Sequence, residues 1–158
     1  PGLARLVEEF GVEMLDEAGE LNRPQLAALV FRDATARSRL NSILHPLVRD
    51  EARARFDEFT RLEEPLVCYE VPLLFETNQQ DNYRPVVVVK VPLATQIARA
   101  MWRDSHDEDA IRVRVAAQLP LEEKVAQADY VIDNAGSEAD TRERALEVLS
   151  RIRAQFAG

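Results

Sequence analysis

A single cysteine, Cys68, occurs in the 158 residues. No disulfide within the chain and no cysteine-built zinc site can therefore form, and a reducing, cytoplasmic setting is the simpler expectation. Lysine is nearly as scarce. Of the 20 basic residues only Lys90 and Lys124 are lysines, and the rest are arginines. Each arginine is a rigid fork suited to bidentate phosphate or carboxylate contacts, although genome composition would leave the same imprint. No apolar run is long enough to cross a bilayer, and no signal-peptide pattern occurs, so no membrane partner is expected. Internal repeats, low-complexity segments and flexible linkers are missing too. The 28 acidic residues outnumber the basic ones, for a net charge of −8. That balance repels phosphate-rich polymers and argues against nucleic acid, leaving a local basic pocket open. With 46% apolar residues, the chain can bury one core large enough to fold without staples.

The first sixty residues carry helical spacing. Leu3, Leu6, Val7 and Phe10 recur on one face up to Gly11, a helix terminator. Asn22 can cap a second helix with Pro24 in its first turn and Leu26, Leu29 and Val30 inward, ending near Arg32. Asp33 can cap a third that buries Leu40, Ile43 and Leu44, until Pro46 forces a break or restart before a charged helix to about Leu62.

The character changes at Glu63-Glu64-Pro65. Residues 66–71 read as a strand, and the β-branched run 85–91 as one buried on both faces of a parallel sheet. A third short strand fits residues 130–132. Helical segments fit residues 93–103, 108–118 and 121–127, and Ser137 caps a final helix with Asp140 at the capping-box position. Alternating strands and helices predict an α/β sheet. A strand ending at Glu70 places that carboxylate at the carboxyl edge of the sheet, where open α/β folds bind ligands, and Pro72 stops the strand. Leu73, Leu74 and Phe75 then project from the rim, either as satellite core, which spacing alone favours, or as an apolar wall for a ligand.

Four motifs in order, FGVEMLDEAGELNRPQLAALVF (10–31), LNSILHPLV (40–48), EVPLLFE (70–76) and AQLPLEEKVAQADYVIDNAG (117–136), make the chain resemble dephospho-coenzyme A kinases over essentially its whole length. The resemblance implies a P-loop-kinase-like parallel sheet flanked by helices. It further implies a helical acceptor-binding region over residues 1–62, a sheet core over 63–92 and 128–158, and a lid over 93–127. It also implies transfer of the γ-phosphoryl group of ATP, with Mg2+, to the ribose 3′-hydroxyl of dephospho-coenzyme A, the last step of coenzyme A synthesis. Self-association is left open.

Site residues follow from the same resemblance. His45, Pro46 and the loop of Pro72, Leu73, Leu74, Phe75 and Glu76 lie around the acceptor, which turns the apolar rim into a binding wall; His45 read alone would be a capping or core histidine. Glu70 falls where related kinases carry an acidic group near magnesium, with direct or water-mediated contact open, or is a satisfied strand-end carboxylate. QIARAMWRDSHDEDAIRVR (96–114) is similar to the arginine-bearing lid, whose Arg99 and Arg103 close over the phosphates, with Arg112 and Arg114 as weaker candidates. Asp104, Asp107, Glu108 and Asp109 would neutralise that patch in an open lid. Lys124, Asn134 and Gly136 are implied near ATP, with Gln118 beside them.

One departure stands against the pattern. Related kinases carry G-x-x-x-x-G-K-[ST], whose amides and lysine cradle phosphate, and this sequence contains no Gly-Lys pair. About a quarter of a ~200-residue kinase domain is then expected to be absent, including a strand between residues 66–71 and 86–91. Three readings follow: an incomplete copy of the kinase, which is inactive alone; a non-catalytic coenzyme-binding module; or an assembly piece whose sheet another chain completes.

Overall fold

The computed structural model describes residues 2–105 and 107–156; His106, within the lid segment, lies outside them. The chain divides into two compact units, Pro1–Val67 and Cys68–Gly158.

The first unit is helical. α1 (Gly2–Phe10), α2 (Arg23–Arg32) and α3 (Ala34–Arg61) bury Leu6, Phe10, Met14, Leu26 and Ala36, with Leu40, Ile43 and Leu44 packed on them. The caps fall where the sequence puts them: the Asn22 side chain accepts the Gln25 amide at 3.1 Å, and Asp33 accepts those of Thr35 and Ala36. Each satisfies helix amides that have no partner within the helix. Gly11 leaves α1 at φ 91°, a conformation open to glycine at little cost. The expected break at Pro46 does not occur, since α3 runs through it. Proline removes one backbone hydrogen bond and disfavours the preceding turn. Here Ile43 and Leu44, anchored in the core before it, and buried Ala52 after it keep the helical path in register.

The second unit contains β1 (Val87–Lys90), α4 (Leu93–Asp104), α5 (Glu108–Ala116), α6 (Leu121–Gln127), β2 (Tyr130–Asp133) and α7 (Glu138–Phe156). The strands pair in parallel, Val87 opposite Tyr130 and Lys90 opposite Asp133. Two sequence expectations need correction. Residues 66–71 join no ladder among the described residues; β-branched and apolar composition disposes a segment to extend, but only a partner's amides and carbonyls make it a strand. The valine run is not buried on both faces either. Val86 and Val88 pack with Phe75 and α6, Ile132 packs under α7, and Val87, Val89 and Val131 are exposed. Side chains alternate along a strand, so helix cover reaches β1 from one face and β2 from the other, and each strand keeps an open side.

At the amino ends of the strands, Arg84 donates through Nη1 to both carboxylate oxygens of Asp129 at 2.9 Å, and Asp129 also accepts the Val86 amide at 2.6 Å. The Val86 bond, opposed by burial and aided by Arg84, holds the Asp129 carboxyl below the usual range. A carboxyl depressed on folding stabilises above its unfolded pKa of about 4, and that contribution is lost as pH falls from there through the folded value. Asp129→Asn should therefore lower Tm at neutral pH and show a shallower fall of Tm below about pH 4, a difference that thermal melts across pH measure.

Candidate functional site

The carboxyl ends of β1 and β2 meet at a cleft of about 340 Å³ lined by Lys90, Pro92, Leu121, Val125 and Asp133 among others. Ligands of open α/β sheets bind at such an edge. The Lys90 ammonium lies 3.6 Å from the Asp133 carboxylate. Asp133 accepts the Ala135 amide at 2.9 Å; that bond, against burial and with the charges of Lys90 and Arg144, holds its carboxyl below the usual range.

The turn that leaves β2 is fixed atom by atom. Arg144 of α7 donates to the Asp133 carbonyl at 2.6 Å, and Arg99 of α4 donates to the Asn134 carbonyl at 3.0 Å. Asn134 returns its own amide to the Lys90 carbonyl at 2.8 Å and accepts Thr141 Oγ1 on its side-chain oxygen at 3.0 Å. Ser137 and Asp140 then form a reciprocal capping box, the Ser137 amide donating to Asp140 at 2.9 Å and the Asp140 amide to Ser137 Oγ at 3.1 Å. A Cβ on Gly136 would sit 2.7 Å from Asp140 Oδ2, so glycine there lets the capping carboxylate close over the turn. The structure thus brings together Arg99, Asn134 and Gly136.

Lys124 stands elsewhere in its contacts. Its ammonium is 2.6 Å from Glu76 Oε1 and donates to Gln118 at 3.1 Å. The same Glu76 oxygen accepts the Leu119 amide at 2.9 Å. Burial would raise the Glu76 carboxyl, but the Lys124 bond and the amide bonds hold it below the usual range.

The apolar loop divides. Phe75 is buried against Val86 and Val88, with half-buried Leu74 beside it, whereas Pro72 and Leu73 are exposed. Spacing alone favoured core, and for Phe75 that reading holds. Glu70 is exposed on irregular backbone, not at a strand end, and no group of three metal-ligating side chains occurs among the described residues. In the first unit, His45 is exposed in mid-α3 and Pro46 half-buried, so His45 neither caps a helix nor enters the core.

On the α4–α5 segment the acidic residues partner the arginines. Arg103 donates to Asp104 at 2.7 and 3.1 Å, Arg114 to Asp104 at 3.1 Å, and Arg112 to Glu108 at 2.8 Å. Asp107 is spent differently, capping α5 through the Ala110 amide. The Asp104 hydrogen bond stabilises the Arg103 cation. Sequence reasoning missed Arg144, Thr141 and the Arg84–Asp129 pair, and only the turn residues beside them carried a local signal.

Known proteins bear on this geometry. The family profile described as dephospho-CoA kinase matches residues 1–140. Among curated relatives, the dephospho-CoA kinase of Syntrophotalea carbinolica is 45% identical over 96% of this chain and 72% of its own length. That of Thermobifida fusca is 39% identical over 96% of this chain and 75% of its own. A crystal structure from Thermus thermophilus superposes with a TM-score of 0.75 at 35% identity, over 95% of this chain and 80% of that one. The dephospho-CoA kinase from Campylobacter jejuni gives 0.67 at 27% identity, over 97% of this chain and 76% of that one.

Proposed function

This chain belongs to the dephospho-CoA kinase family, and from that membership we propose how its residues serve the transfer of the ATP γ-phosphoryl group to the ribose 3′-hydroxyl of dephospho-coenzyme A. In that reaction the 3′-oxygen forms a bond to the γ-phosphorus, the bond to the β,γ-bridging oxygen breaks, ADP leaves and the hydroxyl proton is released. The observation that carries our assignment is the turn of residues 133–137, held by Arg99 and Arg144 on two consecutive carbonyls at the carboxyl edge of both strands. A rigid turn at that edge presents its backbone and the Asn134 amide group to a nucleotide without reorganising, so we assign Asn134 and Gly136 to ATP. Arg103 is exposed and paired with Asp104, which suits an exchange of Asp104 for phosphate during closure. Leu73 and Pro72, exposed beside Phe75 in the second unit, serve as apolar wall for the acceptor; His45 and Pro46 of the first unit are acceptor-binding candidates on family membership alone.

Mg2+ entering with ATP would neutralise phosphate charge. Such a cation would be held mainly by the nucleotide, and Glu70 is the side chain we assign near it, since Mg2+ keeps several waters and needs few protein ligands. The setting we infer is cytoplasmic.

The 158 residues hold no Gly-Lys pair, and this observation favours a second statement: the chain by itself binds dephospho-coenzyme A and yields no product. Incubating it with dephospho-coenzyme A and Mg-ATP, with mass spectrometry for coenzyme A and calorimetry for acceptor binding, tests both. Acceptor binding without product is the expected result. Product at an enzyme-like rate would overturn the second statement alone, and neither binding nor product from folded chain would overturn the acceptor assignment.

A further inference from the structure

Glu76 closes the apolar loop, and Lys124 sits on the last helix before β2. Their side chains retain only 17% and 12% of their exposure, and the charged atoms lie 2.6 Å apart. A desolvated ion pair holds only when hydrogen bonds satisfy its remaining groups. Gln118 and the Leu119 amide supply two of them, while Glu76 Oε2 is buried without a hydrogen-bond partner, so Lys124 is the cation that balances this carboxylate. The apolar half of the same joint is formed by Phe75 against α6, where Leu121 and Val125 pack. Behind Glu76 the loop folds on itself, the Thr77, Asn78 and Gln79 amides donating to the Leu73, Phe75 and Leu74 carbonyls at 3.0–3.1 Å.

We propose that Lys124 is a positioning residue for the acceptor: it locks Glu76, and through Glu76 the 72–76 loop, onto α6, and it does not contact ATP. The ammonium already has two oxygen partners, and withdrawing it toward a phosphate would strand Glu76 as a buried, unbalanced charge. The proposal rests on the reading of this loop as the acceptor wall.

The test uses the 158-residue chain with Lys124→Met, Lys124→Arg, Glu76→Gln and the Glu76→Gln/Lys124→Met double variant. Amide hydrogen exchange and calorimetric affinities for dephospho-coenzyme A and for ATP are measured on each. Lys124→Met should speed exchange at Asn78 and Gln79 and weaken dephospho-coenzyme A binding, each about 10-fold, while ATP affinity is unchanged. Lys124→Arg should restore both, and the double variant should be no worse than either single one, because the pair acts as a unit. The proposal is overturned by weaker ATP binding with the loop still protected, by additive losses in the double variant, or by equal acceleration at Val88 and Ile132, which would report general destabilisation. Should Lys124→Met fail to fold, Glu76→Gln alone carries the comparison, since it keeps shape and removes the charge. If the unsubstituted chain binds no dephospho-coenzyme A, the acceptor reading falls, and exchange at Asn78 and Gln79 still decides whether Lys124 positions the loop.

Discussion

Phe75→Ala should destabilise the chain by about 3–5 kcal/mol, whereas Leu73→Ala, two residues away in the same loop, should change stability by no more than about 0.5 kcal/mol. Phe75 is 8% exposed and packs on Val86 and Val88, with Leu119, Leu121 and Val125 around it, so truncation removes apolar burial and leaves a cavity between β1 and α6. Leu73 is 46% exposed and gives up little. Binding should invert the order among folded proteins: Leu73→Ala weakens dephospho-coenzyme A while the melting midpoint stays put. Urea unfolding with calorimetry on the two variants separates the roles. A Phe75→Ala protein with an unchanged midpoint would remove Phe75 from the core, and a Leu73→Ala protein with unchanged acceptor affinity would remove Leu73 from the wall.

Local rules made much of the fold legible. Asn22, Asp33 and the Ser137–Asp140 box are side chains accepting from amides two or three residues away, interactions that a short window of sequence contains in full. Gly11 closes α1 by another local rule, the positive φ that glycine adopts at little cost. What failed was whatever depended on a distant partner. Residues 66–71 have a strand's composition and no ladder among the described residues, and Val87 and Val89 resemble buried residues although cover reaches β1 from the opposite face. Pro46 shows the converse, a local breaker overruled by packing on either side.

The candidate site follows the same division. The Asn-Ala-Gly turn after β2 is visible as a string of residues, but the arginines that hold its carbonyls lie 35 residues before Asn134 and 11 after Asp133; resemblance marked Arg99 as a lid arginine and not as a support of the turn, and nothing marked Arg144. Resemblance placed Glu76 with the acceptor and Lys124 with ATP, and the structure joins them in one ion pair. In a chain with so many arginines, the geometry distinguishes a guanidinium engaged by backbone from one that faces solvent.

That distinction sets the largest expected effect on turnover. In a form of the enzyme that makes coenzyme A, Arg103→Ala should lower kcat by about 10²–10³-fold with little change in the KM for ATP, because charge gathered on the transferring phosphoryl group is felt most in the transition state. Arg103 is 74% exposed and its partner Asp104 also holds Arg114, so its guanidinium can leave Asp104 without abandoning a carboxylate that has no other cation. Arg99, bonded to the Asn134 carbonyl, cannot move to phosphate without loosening the turn. Arg99→Ala should therefore raise the KM for ATP more than it lowers kcat, and comparing the two variants under single-turnover and steady-state conditions resolves the difference. If Arg103→Ala retained its kcat, the exposed face of α4 would not be the lid, and Lys90, 3.6 Å from Asp133 at the mouth of the cleft, would be the next cation to test.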